Sequence, residues 1–113
     1  MAKPNIPDPM ERRHLIEREL EPDRSLAIAD VYLEAGRASE AVIFLSKAGA
    51  EERLEALAGE AVTEGDAFLL AQLAAVLVRP PSADRWTRLA ENAEAAGKER
   101  YAEMARRHAR SSV

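Results

Sequence analysis

Glu11-Arg12-Arg13-His14 is the segment whose residue types and spacing come nearest to metal chemistry. An E-x-x-H step places a carboxylate and an imidazole one helical turn apart, as carboxylate-bridged metal centres in helical bundles require. Such a centre also needs a second E-x-x-H and two further inward glutamates. The other histidine, His108, has Ala105 three residues before it, so the second half is missing. Arg12 and Arg13 would also repel a cation. The chain has no cysteine, which removes thiolate zinc sites, disulfides and cysteine nucleophiles together. No G-x-S-x-G, G-x-G-x-x-G or other phosphate-cradling loop follows a strand. The 20 acidic residues include none in an apolar setting that would raise a carboxyl pKa for acid–base work. The residues therefore point away from an enzyme, a metal site or a cofactor. A small helical metal protein built on Glu11 and His14 is the least favoured alternative.

The elements that carry these residues are short helices. In 113 residues there are 23 alanines but only 12 leucines and five aromatics, and the glycines and prolines fall between periodic segments. That composition suits closely packed helices and opposes a sandwich, which needs β-branched and aromatic residues in alternation. The net charge of −4 disfavours generic binding to phosphate backbones. Lys98, Arg100, Arg106, Arg107 and Arg110 are diluted by Glu99 and Glu103, and they read as helix-end charge rather than a nucleic-acid patch. No apolar run approaches the roughly 20 residues of a bilayer span, and the first residues lack an apolar leader core, so a cytoplasmic protein is expected.

Residues 1–7, with Pro4 and Pro7, read as a flexible arm, and 8–113 as a single helical domain. Asp8 and Pro9 open a helix through Met10, His14, Ile16 and Leu20, ending before Pro22. A second runs from Pro22 or Asp23 to Gly36, and a third from about Ser39 to Gly49. Glu51 to Glu64 and Asp66 to Val78 follow, with Gly65 between them and Pro80-Pro81 after. Ser82 caps the sixth, Gly97 ends it, and Lys98 to about Arg110 forms the seventh.

Gly36, Gly65 and Gly97 are 29 and 32 residues apart, which prompts a search for a repeat. Eleven before each stand Ser25, Leu54 and Trp86. Eight before are Ile28, Leu57 and Leu89; seven before are Ala29, Ala58 and Ala90; four before are Tyr32, Ala61 and Ala93. Five after are Ala41, Leu70 and Ala102; nine after, Leu45, Ala74 and Arg106; twelve after, Ala48, Leu77 and Ala109. The small residue seven before, beside the large apolar one eight before, lets two helices approach closely while filling the adjoining gap.

This pattern resembles tetratricopeptide (TPR)-type helical repeats. The clearest unit is Leu26–Ala48, with Ile28-Ala29, Tyr32, Gly36, Ala41 and Ala48 on the family's signature positions. The third supplies Trp86, Leu89-Ala90, Gly97, Ala102 and Ala109. The middle one keeps Leu54, Leu57-Ala58 and Gly65 but has Leu70 where the family is small. The spacing is shorter than the family's, and its proline between units is absent after the first hairpin. The resemblance implies an all-α fold, a right-handed α-α superhelix of about three helical hairpins with an N-terminal capping helix. In that cap Ile16 and Leu20 would pack on Val31 or Phe44.

The resemblance also implies function. In such α-solenoids the first helix of each pair lines a concave groove that receives a partner segment. On this chain that face falls on Leu26, Asp30, Leu33 and Glu34, then Glu55, Gly59, Val62 and Thr63, then Thr87, Arg88, Glu91 and Glu94. The acids around a few apolar spots imply a protein partner with a basic or amphipathic segment. The expected role is a non-catalytic adaptor or scaffold, without nucleic acid or membrane as partner. The alternative is a self-assembling homo-oligomer joined through the last unit, where Tyr101 and Met104 would serve.

Overall fold

The computed structural model describes residues 6–112; residues 1–5 of the predicted arm, and Val113, lie outside the described residues. Among the described residues there are seven helices and no strand: α1 (Pro9–Glu17), α2 (Pro22–Glu34), α3 (Ala38–Lys47), α4 (Glu51–Glu64), α5 (Ala67–Ala74), α6 (Ala83–Ala95) and α7 (Glu99–Ser111). The all-helical reading holds, and none of these helices is long and apolar enough to cross a membrane.

Local chemistry sets the helix ends. Asp8 accepts from the Glu11 backbone N–H at 2.9 Å, with Pro9 in the first turn. That N–H holds the Asp8 carboxyl below its ordinary pKa. Ser82 and Asp66 cap α6 and α5 in the same way, accepting from Arg85 and Leu69 N–H at 3.2 and 3.0 Å. Gly36, Gly65 and Gly97 take left-handed φ values of 73°, 72° and 76°, the conformation that closes a helix without a Cβ penalty.

Two helices stop earlier than the sequence pattern suggests. The first ends at Glu17 rather than near Leu20, and Arg18 is already extended. Continued to Pro22, it would drive the proline ring into the Arg18 carbonyl. That carbonyl instead accepts from Lys47 Nζ at 3.1 Å. The fifth ends at Ala74, not Val78: the Ala75 and Val76 N–H groups bond three residues back, to the Gln72 and Leu73 carbonyls at 3.3 and 3.0 Å, which tightens the last turn and ends the helix. Leu77 nonetheless stays buried at the turn.

The described residues group into two compact units, one up to Arg53 and one from Leu54 onward. In the first, α2 packs on α3 around Ala29, Tyr32, Ala41, Val42, Phe44 and Leu45, all buried. Tyr32 and Phe44 stack with ring centroids 5.8 Å apart. No residue of α1 is fully buried. Besides the Lys47 bond to the Arg18 carbonyl, Arg12 ties it to the hairpin, its guanidinium 5.6 Å from the Tyr32 ring centroid and 5.8 Å from that of Phe44. Ile16 and Leu20 are half-buried.

In the second unit the core runs from Leu54 through Leu57, Ala58, Ala61 and Leu70 to Trp86, Leu89, Ala93, Ala102 and Ala105. Helix α6 packs on α7, and α5 touches α7. Helices α4 and α6 run alongside each other in the same direction. Near their starts Arg85 bonds Glu55 at 3.0 Å, and near their ends the Asn92 amide donates to the Val62 carbonyl at 2.7 Å. Lys98 Nζ donates to the Glu64 carbonyl at 2.7 Å. Val62 and Glu64 are among the last four residues of α4, whose carbonyls lack an i+4 donor in the helix; the Val62 carbonyl also accepts from the Gly65 N–H at 3.2 Å.

Gly65 shows how close this packing is. A Cβ built there would lie 2.6 Å from Ala93 Cα and 2.7 Å from Ala93 N. The residues eleven, seven and four before each of the three glycines, and five after, are all buried.

Candidate functional site

The first-helix faces divide between the two units. On α2, Leu26 and Leu33 are half-buried and Glu34 is exposed. Asp30 is half-exposed and paired with Arg53. On α4, Glu55 is paired with Arg85, and Thr63 is exposed with its hydroxyl donating to the Gly59 carbonyl at 3.1 Å. Val62 is 7% exposed, so its side chain supports the hairpin from inside and offers almost no contact area. A Cβ at Gly59 would meet nothing within 4 Å, which leaves an open notch on that helix. On α6, Thr87, Arg88, Glu91 and Glu94 are all exposed, and Glu94 is paired with Arg106 from α7.

Three of the five acids on these faces, Asp30, Glu55 and Glu94, therefore carry an arginine. Ion pairs this exposed contribute little to stability, of order 0–1 kcal/mol. Their effect is on the field: each cancels an acid that a basic partner would otherwise meet. Glu34 and Glu91 have no ion pair among the described residues. The negative potential of the α4 and α6 faces thus rests on Glu91 and the outer edge of Glu94, beside the positive Arg88.

Two of these three arginines share a position relative to the glycines. Arg53 and Arg85 each stand twelve residues before their glycine, as does Arg24 before Gly36. Arg53 and Arg85 each reach a carboxylate on an earlier first helix, Asp30 and Glu55. Arg24 is exposed and makes no ion pair among the described residues.

A second cluster, absent from the sequence reading, joins α1 to the first hairpin. Arg37 grips the Glu40 carboxylate through Nε and Nη2, both at 2.6 Å, and its guanidinium lies 5.4 Å from the Tyr32 centroid. Arg12 donates from Nη2 to the Glu40 carbonyl at 3.1 Å, and its Nε stands 3.6 Å from the Glu40 carboxylate. The Arg37 hydrogen bonds, with Arg12 adding to them, hold the Glu40 carboxyl below its ordinary pKa. The hydrogen bonds to Glu40 raise that of Arg37. The signal in the sequence is the i,i+3 pair Arg37–Glu40; the partnership with Arg12 spans 28 residues and leaves no local trace.

In the second unit Trp86 is 2% exposed and stacks on His108, with centroids 4.1 Å apart and planes 10° from parallel. His108 borders a shallow cavity of about 250 Å³ with Met104, Arg107 and Ser111. Glu11 and His14 are both exposed. Among the described residues no three His, Asp or Glu side chains are grouped to hold a metal.

Comparison with known proteins adds no relative: no protein-family model matches the chain, and no curated protein or solved structure matches it.

Proposed function

We propose that this chain is a non-catalytic protein–protein interaction module of TPR-like hairpins, acting as an adaptor or scaffold. The observation that carries the reading is the pairing of α4 and α6. Two first helices lie side by side in the same direction, bonded near both ends, with Glu55–Arg85 and Val62–Asn92 in corresponding places. This is how consecutive hairpins of an α-solenoid stack, and it leaves one face of each first helix outward. On that face Gly59 opens a notch and Thr87, Arg88, Glu91 and Glu94 present polar side chains.

The partner that fits is a segment with a few basic groups on an otherwise amphipathic surface. Glu91 supplies the uncompensated charge, and Glu94 contributes when the partner competes with Arg106. Electrostatic matching of this kind speeds and selects encounters more than it adds affinity. The outward face of α2, with Leu26, Leu33 and Glu34, offers the same chemistry in the first unit.

The test is affinity capture with the wild type beside Glu91→Lys/Glu94→Lys and, separately, Glu34→Lys. A partner captured by the wild type is then remade as a purified segment and titrated. Loss of about tenfold or more in affinity for the α6 variant supports the reading, since like-charge contacts cost on the order of 1–2 kcal/mol. Equal affinity for wild type and both variants overturns it. Recovery of the chain's own copies alone would replace it with self-assembly.

A further inference from the structure

We propose that α1 is an exchangeable ligand of the α2–α3 hairpin, and that the surface beneath it accepts an arginine-bearing amphipathic helix from a partner protein. The proposal concerns the first unit only and does not use the faces of α4 and α6. Its failure and the failure of the preceding reading are therefore separate events.

The bound α1 displays the recognition chemistry. Its inward side carries Arg12, Leu15 and Ile16, all half-buried, at the i, i+3, i+4 spacing of one helix face. Arg12 makes the polar contacts: its guanidinium covers the stacked Tyr32 and Phe44 rings and meets both the carbonyl and the carboxylate of Glu40. Aromatic faces beside an acid form a receptor for a guanidinium in particular, because arginine stacks and forks where lysine is a point charge. Arg37 shares this site: it grips the Glu40 carboxylate and lies 5.4 Å from the Tyr32 centroid, so Glu40 is held by the hairpin's own arginine as well as by Arg12.

The fit of α1 is shallow and incomplete. None of its residues is fully buried. Arg12 Nε is buried without a hydrogen bond, and so is the hydroxyl of Tyr32. The Arg12 Nε stands 3.6 Å from the Glu40 carboxylate, too far for a hydrogen bond, and a buried donor left without one costs free energy. A nine-residue helix is also too short to persist alone, so releasing it recovers chain entropy. The arrangement is that of a tethered competitor. A partner helix presenting arginine, with aliphatic residues three and four positions later, makes the same contacts in its place.

The full-length chain carrying Arg12→Ala tests this, with its fold checked by circular dichroism and its unfolding midpoint. The probe is a fluorescein-labelled peptide of residues 6–19, followed by anisotropy. Saturable binding to Arg12→Ala is expected, about tenfold weaker to the wild type, because the tethered helix competes at an effective concentration near millimolar. Replacing the peptide's own arginine at position 12 by alanine, or adding Glu40→Gln to the chain, is expected to lose about tenfold. No saturable binding to the folded variant, or equal binding of the peptide lacking that arginine, overturns the proposal. Hydrogen exchange on the wild type tests it without any variant: the amides of Arg12–Glu17 should be at least about a hundredfold less protected than those of α2 and α3. Equal protection overturns it.

Discussion

Replacing Gly65 by alanine separates two costs that glycine avoids at this position. Gly65 and Gly97 both have φ near +75°, so alanine at either pays the left-handed penalty of about 1–2 kcal/mol. Both variants also regain about 0.4–1 kcal/mol because alanine stiffens the unfolded chain. These contributions cancel when the two are compared. What remains is space: a Cβ at Gly97 meets nothing within 4 Å, whereas at Gly65 it would press on Ala93 Cα, N and Cβ at 2.6, 2.7 and 2.9 Å. Two of those atoms are backbone, and α6 is anchored nearby by Asn92, so no side-chain rotation relieves the clash. Overpacking of that kind costs about 1–3 kcal/mol, so Gly65→Ala should be less stable than Gly97→Ala by about that amount. The assay is urea unfolding followed by far-ultraviolet circular dichroism and by the fluorescence of Trp86, which belongs to the same unit as both glycines. Equal midpoints for the two variants would refute the close approach of α4's end to α6. Full rescue by Ala93→Gly would refute the claim that the obstruction is backbone.

Trp86→Ala should destabilise residues 54–113 by about 3–5 kcal/mol, as a fully buried large side chain does. A double-mutant cycle with His108→Ala should return a coupling of about 0.5–1.5 kcal/mol from the stack, read from the same unfolding curves. Asn92→Ala should cost about 0.5–1.5 kcal/mol by removing one of the two donors to the Val62 carbonyl, which keeps the Gly65 N–H, with a fall in urea midpoint as the readout. A carboxyl depressed in the folded state stabilises fully above its unfolded pKa and loses that contribution as pH falls through the folded value. Asp8 and Glu40 are both of this kind, with ordinary values of 3.8 and 4.5. Stability should therefore drop as pH falls below about 4.5, and Glu40→Gln should flatten that drop while lowering stability at pH 7; unfolding midpoints at pH 7, 5 and 3.5 check both.

Helix positions were readable because their signals are local. Glu51 to Glu64 is bounded in the structure as its charge and alanine pattern predicts, and Ser82 caps α6 as its place before Asp84 predicts. The ends of α1 and α5 were harder to read: Pro22 and Pro80-Pro81 set an outer limit for each, and both helices stop short of it, at Glu17 and Ala74. The chemistry of the candidate faces was less readable. Asp30, Glu55 and Glu94 are acidic by type, but whether each is free depends on arginines 23, 30 and 12 residues away. Val62 illustrates the reverse failure: helical phase puts it near the outward face, and its 7% exposure comes from neighbours that no helical wheel contains. Arg12 was counted as a charge that would repel a metal, while its role over Tyr32 and Phe44 depends on how α1 lies on the hairpin.

The end of α4 is finished by residues that the chain reaches only later. The carbonyls of Val62 and Glu64 are met by Asn92 and Lys98, 30 and 34 positions downstream. The Val62 carbonyl already accepts from the Gly65 N–H of its own turn and gains a second donor when the following hairpin closes over it, whereas the Glu64 carbonyl gains its donor only then. The donors bring the interest of that hairpin with them: Asn92 lies within α6, and Lys98 stands at the turn into α7. The end of the earlier hairpin is thereby finished by side chains of the later one, and each lends stability to the other.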